Sequence, residues 1–113
     1  MLVASVRNVT RIRELNDQFR TTLRGGRVML TPGILALTEV TRSEIIRRVT
    51  TFEDFNDAND PHQDHDFIAF EFAGAHIFVK IDYYALDLQH GSDDPADPSK
   101  TTRVMTVMTA EEY

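Results

Sequence analysis

The chain has 113 residues, no cysteine and a formal net charge of −6. This length suits one domain over residues 1–113, with residues 1–8 expected to be partly disordered because they carry no strong signal. The lack of cysteine excludes disulfides, thiol catalysis and cysteine-bound zinc, and it fits a reducing, cytoplasmic setting. No apolar run approaches the roughly 20 residues of a membrane-spanning helix, so no membrane partner is expected.

Two segments are predicted to be helical. Residues 10–23 repeat apolar side chains at spacings of three and four, and Gly25-Gly26 is expected to end this helix. Arg20 falls off its apolar stripe. Thr41 to Glu44 matches a capping box and predicts a second helix through about Phe55, with Arg42 in solvent.

The remaining regular segments are predicted to be strands. Residues 27–31 and 101–109 read as single strands. Between them, residues 67–72 and 75–81 flank Ala73-Gly74, which predicts a tight hairpin followed by a turn or short helix at Tyr83. Together these elements predict an α+β domain, with an antiparallel sheet of about four strands and two helices packed on one face.

A turn at Ala73-Gly74 fixes the register of the hairpin. Because side chains alternate along a strand, one apolar set should face the core: Ile68, Phe70, Ile77, Val79 and Ile81. On the opposite face Glu71 should lie across from His76, and His65 across from Asp82.

The polar side chains at the open end of this hairpin suggest a candidate catalytic cluster of His65, Lys80 and Asp82, with Asp66 and His90 nearby. Asp82 would orient His65 as a general base. No nucleophile motif such as GxSxG accompanies them.

The open end of the hairpin could alternatively hold a metal ion. His62 and His65 lie three residues apart, and Asp82 or His90 could supply a third ligand. The polar stretch 56–66 is not an EF-hand loop, and its residue types are also common in turns. No cofactor is expected.

The charge is unevenly distributed along the chain. Residues 1–50 hold nine arginines against four acids, and residues 51–113 hold three basic residues against fourteen acids. Either the two halves neutralise each other, or the surface is bipolar with an acidic patch that can bind a basic partner. The acidic total argues against direct nucleic-acid binding.

Several strings resemble a family of short bacterial proteins catalogued only as a domain of unknown function. They are RIRELNDQFR, GGRVMLTPGI, HDFIAFEF, KIDYY and GSDDPADPSKTTRVMTVMTAEEY, and together they extend from Thr10 to Tyr113. The resemblance implies a cytoplasmic bacterial protein, often encoded near mobile-element genes, and implies no activity. The family pattern tends to have an aromatic residue at the position of His62, which weakens the metal reading.

Three functional hypotheses follow. The first is a non-catalytic protein-binding module or inhibitor that engages a basic partner, such as a nucleic-acid-processing enzyme. Its contact residues would be the acidic ones near the hairpin's open end: Asp60, Asp64, Asp66, Asp87, Asp93, Asp94 and Asp97. The alternative is a hydrolase or metal-dependent enzyme at that end. The third is self-association through the opposite charges of the two halves.

Overall fold

The computed structural model describes residues 8–113. The disorder expected for residues 1–8 therefore concerns residues outside this range, except for Asn8, whose side chain caps the first helix by accepting from Arg11 N. In chain order the elements are α1 (Val9–Thr22), β1 (Gly26–Leu30), α2 (Pro32–Leu35), α3 (Glu39–Thr51), β2 (Phe67–Phe72), β3 (Ala75–Tyr84) and β4 (Thr102–Thr109), followed by a 3-10 turn at Ala110–Glu112.

The four strands form one sheet in the order β1-β4-β3-β2. β4 pairs antiparallel with β3 but parallel with β1. The predicted α+β class and the four strands are confirmed, whereas the purely antiparallel sheet is wrong. Helices and a hairpin separate β1 from β4, and this long connection lets the chain return in the same direction.

The predicted hairpin register is confirmed from Phe67 to Lys80. Phe72 pairs with Ala75, and Glu71 pairs with His76. The turn uses positive φ at both central residues, 53° at Ala73 and 81° at Gly74. That combination is the type I′ geometry that suits the twist of a two-residue hairpin.

The second predicted helix is displaced towards the N-terminus. Its cap is Thr38, whose hydroxyl accepts from Thr41 N at 3.2 Å, and the helix ends at Thr51. Phe52 is already extended, so Phe52 and Phe55 belong to the connection that follows. The expectation that Arg42 lies in solvent is also wrong, since its Nη1 donates to the carbonyl of Leu37 at 2.6 Å.

All three helices pack on one face of the sheet. The core contains these buried residues of helices and strands: Phe19, Ile34, Ile45, Val49, Ile68, Ile77, Val79, Ile81, Met105 and Val107. Gly26 is required where α1 crosses the start of β1. A Cβ there would stand 2.6 Å from the carbonyl oxygen of Arg103 and 2.7 Å from the ring of Phe19.

Candidate functional site

A cluster of hydrogen-bonded side chains lies at the open end of the β2–β3 hairpin, against α1. β2 begins at Phe67 and β3 runs antiparallel to it as far as Tyr84. The connection from α3 to β2, residues 52–66, reaches α1 at this end of the sheet. Asn16 Nδ2 donates to the carbonyl of Asp64 at 2.8 Å, and Arg13 Nη1 donates to that of Gln63 at 2.9 Å.

His65 lies between two carboxylates in this cluster. Its Nδ1 is 2.8 Å from Asp17 Oδ1, and its Nε2 is 3.3 Å from Asp60 Oδ2. Its backbone N–H donates to Asp60 Oδ1 at 3.2 Å. Both nitrogens are engaged, and neither is available as a general base.

The predicted pair of His65 and Asp82 does not form. A φ of 57° at His65 turns the chain out of the strand direction just before β2 begins. Asp82 instead lies 3.1 Å from Lys80 Nζ. Asp82 and Lys80 alternate with buried Ile81, so they lie on the face of the sheet away from the helices. The candidate catalytic residues are therefore divided between two faces.

The candidate metal ligands are also dispersed. His62 and His90 are exposed, and His90 Nδ1 is 3.0 Å from Asp87 Oδ2. Over the described range 8–113, no group of three His, Asp or Glu side chains is placed to hold a metal ion. The predicted combination of His62 and His65 with Asp82 or His90 does not assemble in this arrangement.

Arg20 is a central residue of the cluster that the sequence pattern did not reveal. It lies on α1 with 4% exposure, although it falls off the apolar stripe. Its Nη1 donates to the carbonyls of Val49 and Phe52 at 3.0 and 2.9 Å, and its Nη2 donates to Asp17 at 3.1 Å. Arg20 thereby satisfies carbonyls at the end of α3 and orients the acid that holds His65.

A second group of hydrogen bonds surrounds Tyr83, which is a β3 residue rather than part of the predicted turn. Its hydroxyl accepts from Asn16 Nδ2 at 2.8 Å and donates to Asp66 Oδ2 at 3.0 Å. Burial raises the pKa of Tyr83 well above its ordinary value, the hydrogen bond from Asn16 opposes this, and the charge of Asp66 adds to it. Asn16 Oδ1 in turn accepts from Arg103 Nε at 2.8 Å. In the sequence, the four-residue spacing of Asn16 and Arg20 is the one feature that could have indicated this cluster, because it places both side chains on the same side of α1.

The predicted acidic contact residues fall into two groups. Asp60 and Asp64 are buried, with 7% and 3% exposure, and Asp66 is half-buried beside Tyr83. These three carboxylates are turned towards the protein.

The other group lies in the β3–β4 loop, residues 85–101, where Asp87, Asp93 and Asp94 are exposed and Asp97 is half-buried. The N–H of Gln89 and the His90 side chain hold the pKa of Asp87 below its usual range. Hydrogen bonds from the hydroxyl and the N–H of Ser99 do the same for the pKa of Asp97.

Two shallow cavities of about 300 and 220 Å³ flank His65 and Phe55. Thr21 and Thr50 line the smaller one, but their hydroxyls donate to helix carbonyls, those of Asp17 and Arg47. Ser92 shares a 2.6 Å hydrogen bond with Thr101. The hydroxyls of Thr21, Thr50 and Ser92 thus form structural hydrogen bonds and do not face a base.

The ion pairs show how the two oppositely charged halves meet. Within residues 8–113, the arginine–carboxylate pairs are Arg11–Glu14, Arg20–Asp17 and Arg47–Glu44. Each joins residues three apart on one helix. In this part of the chain no arginine of the first half forms an ion pair with an acid of the second half, so the acids of the β3–β4 loop are not neutralised in that way.

The described residues contain no helix long and apolar enough to cross a bilayer. No curated protein and no solved structure matches the chain. A family model described as Protein of unknown function (DUF3768) matches residues 30–112. This match covers most of the chain and excludes α1, where the resemblance noted above had extended. The chain belongs to this family of proteins of unknown function.

Proposed function

We propose that this domain is a non-catalytic protein-binding module that engages a basic partner through its β3–β4 loop. The contact residues are four carboxylates of this loop, the exposed Asp87, Asp93 and Asp94 and the half-buried Asp97. Asp60, Asp64 and Asp66 hold the fold beside this surface. A basic nucleic-acid-processing enzyme is the class of partner we favour, with the domain acting as its inhibitor in the cytoplasm of a bacterium, as the sequence resemblance implies.

The observation that carries this proposal is that, within residues 8–113, no arginine of the basic half forms an ion pair with Asp87, Asp93, Asp94 or Asp97 of the β3–β4 loop. If the charges of the two halves served only to stabilise the fold, such pairs would be expected. Carboxylates that no arginine neutralises create a negative field that speeds the approach of a basic protein and selects against acidic ones.

The loop is also well ordered for a contact surface. Asp87 accepts from Gln89 N at 2.8 Å, Asp94 from Ala96 N at 3.2 Å and Asp97 from Ser99 N at 2.9 Å. Thr101 Oγ1 donates to the carbonyl of Asp94 at 2.9 Å. A surface already fixed in this way loses less conformational entropy on binding than a flexible loop would.

The enzymatic alternative has less support. Both ring nitrogens of His65 face carboxylates, and Lys80 and Asp82 lie on the other face of the sheet. A general base needs a free nitrogen within reach of the proton that it removes.

The proposal can be tested with a variant that removes charge and keeps the turns. Asn retains the side-chain oxygen that caps each turn, so the triple variant Asp93→Asn, Asp94→Asn, Asp97→Asn should fold normally. Its matched control is Glu14→Gln, Glu39→Gln, Glu44→Gln, which removes three charges from the basic half. Both variants and the unmodified protein would serve as bait in host extracts, with mass spectrometry of captured proteins and titration calorimetry of the purified partner.

We expect the unmodified protein and the control to capture the same basic protein, with an affinity that falls as salt rises. The loop variant should bind it at least about tenfold more weakly, since several charged contacts are lost. Equal capture by the loop variant would refute the role of these aspartates. Sedimentation at low and high salt would show whether the partner is a second copy of the chain.

A further inference from the structure

A cavity lies between α1 and the β3–β4 loop, at the start of β1. Its volume is about 420 Å³, within the range of pockets that hold small organic molecules. Arg11, Arg24 and Arg103 all line it, and none of the lining residues between 8 and 113 is acidic. This concentration of positive charge stands on a domain whose net charge is −6. The cavity is distinct from the acidic surface proposed above.

Arg103 is the fixed cation of this cavity. It is the second residue of β4 and has 3% exposure. Its Nε donates to Asn16 Oδ1 at 2.8 Å, its Nη2 donates to the carbonyl of Pro95 at 2.6 Å, and the guanidinium lies 5.2 Å from the ring centroid of Tyr83. These contacts hold the guanidinium in one orientation.

The partners of Arg103 are all neutral groups. Among the described residues it forms no ion pair, and the hydrogen bonds of its guanidinium within this range are those made by Nε and Nη2. Burial lowers the pKa of Arg103, Tyr83 opposes this, and the positive charge of Arg11 lowers it further. Arginine still remains protonated at neutral pH. A buried cation of this kind is costly unless an anion balances it.

The other two arginines can move to meet a ligand. Arg24 is exposed, and Arg11 makes an exposed 3.6 Å pair with Glu14 that contributes little. Leu15 and Phe19 supply an apolar wall to the same cavity, and Gln18 adds an amide. The lining thus joins three cations with a surface that suits a small apolar group.

We propose that this cavity binds a small phosphate ester. The three arginines line the cavity without an acid, so a dianion balances more of their charge than a monoanion does. Guanidinium groups also bind phosphate oxygens through paired charged hydrogen bonds. The organic part of the ester would lie against Leu15 and Phe19. The volume limits the ligand to the size of a mononucleotide or smaller.

Titration calorimetry and amide chemical-shift mapping of the full chain would test this with three probes: phenyl phosphate, inorganic phosphate and benzoate. We expect phenyl phosphate to bind most tightly, because it alone combines a dianion with an apolar ring. The shifted amides should cluster on α1 and at residues 98–103. No binding of phenyl phosphate, or binding of benzoate with equal affinity, would overturn the proposal.

Arg24→Gln is the informative variant because Arg24 is exposed and its loss should not affect folding. Its matched control is Arg27→Gln, an exposed arginine of the same charge that does not line the cavity. We expect Arg24→Gln to weaken phenyl phosphate binding about tenfold, as the loss of a charged hydrogen bond does. Arg27→Gln should leave binding within about twofold. Equal weakening by both variants would show diffuse surface attraction and refute the site.

Discussion

The imidazole of His65 lies parallel to the ring of Phe55, with 3.7 Å between the ring centroids and 6° between the ring planes. The guanidinium of Arg20 lies 5.3 Å from the same Phe55 centroid. Three parts of the chain therefore meet at one aromatic ring: α1, the start of the connection 52–66 at Phe55, and its end at His65. The conformation of residues 52–66 therefore depends on the stacking of His65 on Phe55 and on the two carboxylates that flank His65, those of Asp17 and Asp60.

We expect His65→Ala to destabilise the protein by about 2–4 kcal/mol, because it removes the stack on Phe55 and the ring nitrogens that face Asp17 and buried Asp60. Urea denaturation at neutral pH measures the change in the free energy of unfolding. The matched control is His76→Ala, since His76 also faces an acid, Glu71 at 3.2 Å, but is exposed. Its effect should stay within about 0.5 kcal/mol. Similar losses in the two variants would contradict the structural role of His65.

A second prediction concerns pH and Tyr83. Its folded-state pKa is raised by burial, so the unfolded chain ionises first as pH rises. Stability is fully present below the ordinary pKa of about 10 and falls above it. Urea denaturation between about pH 8 and 11 should therefore show a steeper loss for the unmodified protein than for Tyr83→Phe. Identical slopes would argue against a buried, hydrogen-bonded phenol.

At neutral pH, Tyr83→Phe should cost about 1–2 kcal/mol, because Asn16 and Asp66 each lose a hydrogen bond to the hydroxyl. Tyr84→Phe serves as the control on the neighbouring position of β3. It should change the free energy of unfolding by less than about 0.5 kcal/mol.

A third prediction concerns Glu112 at the end of the chain. Its carboxylate accepts from Thr31 Oγ1 at 2.6 Å, from Gly33 N at 2.9 Å and from Thr109 N at 2.9 Å. Hydrogen bonds from the Thr31 hydroxyl and then from these N–H groups lower the pKa of Glu112 to about 2. Its contribution to stability is therefore complete above the ordinary pKa of 4.5 and is lost as pH falls towards 2.

Urea denaturation at pH values between about 2 and 6 should show this loss in the unmodified protein and a smaller loss in Glu112→Gln. Glu111→Gln is the matched control, since Glu111 is exposed on the same 3-10 turn. We expect it to follow the unmodified protein. If both variants have the same pH profile, Glu112 does not hold α2 to the end of β4.

Local patterns predicted the hairpin well. The alternation of side chains in residues 67–81, together with Ala73-Gly74, fixed which residues pair and which face the core. The same holds for the last strand, which was predicted over residues 101–109 and is found at Thr102–Thr109. Each of these features depends on neighbours in the sequence or on one short turn, so the sequence contains the information that decides them.

The candidate site was less predictable because its contacts join residues far apart in the chain. His65 appeared to continue a strand, whereas its positive φ and its contacts with Asp17 and Phe55 depend on how α1 lies against the sheet. Arg20 fell off the apolar stripe of its helix, and the pattern gave no sign that Asn16 is buried. They are buried because carbonyls at the end of α3 and polar groups from β3 and β4 meet them there.

The sequence by itself determined the α+β class, the hairpin register and the unequal charge of the two halves. Tertiary structure alone decided that β1 lies parallel to β4, that His65 turns away from Asp82, and that three arginines share one cavity. Alternation, capping and turn chemistry are local, so one sequence suffices to read them. The pairing of distant strands and the burial of polar groups depend on which surfaces meet, and that depends on the packing of the whole chain.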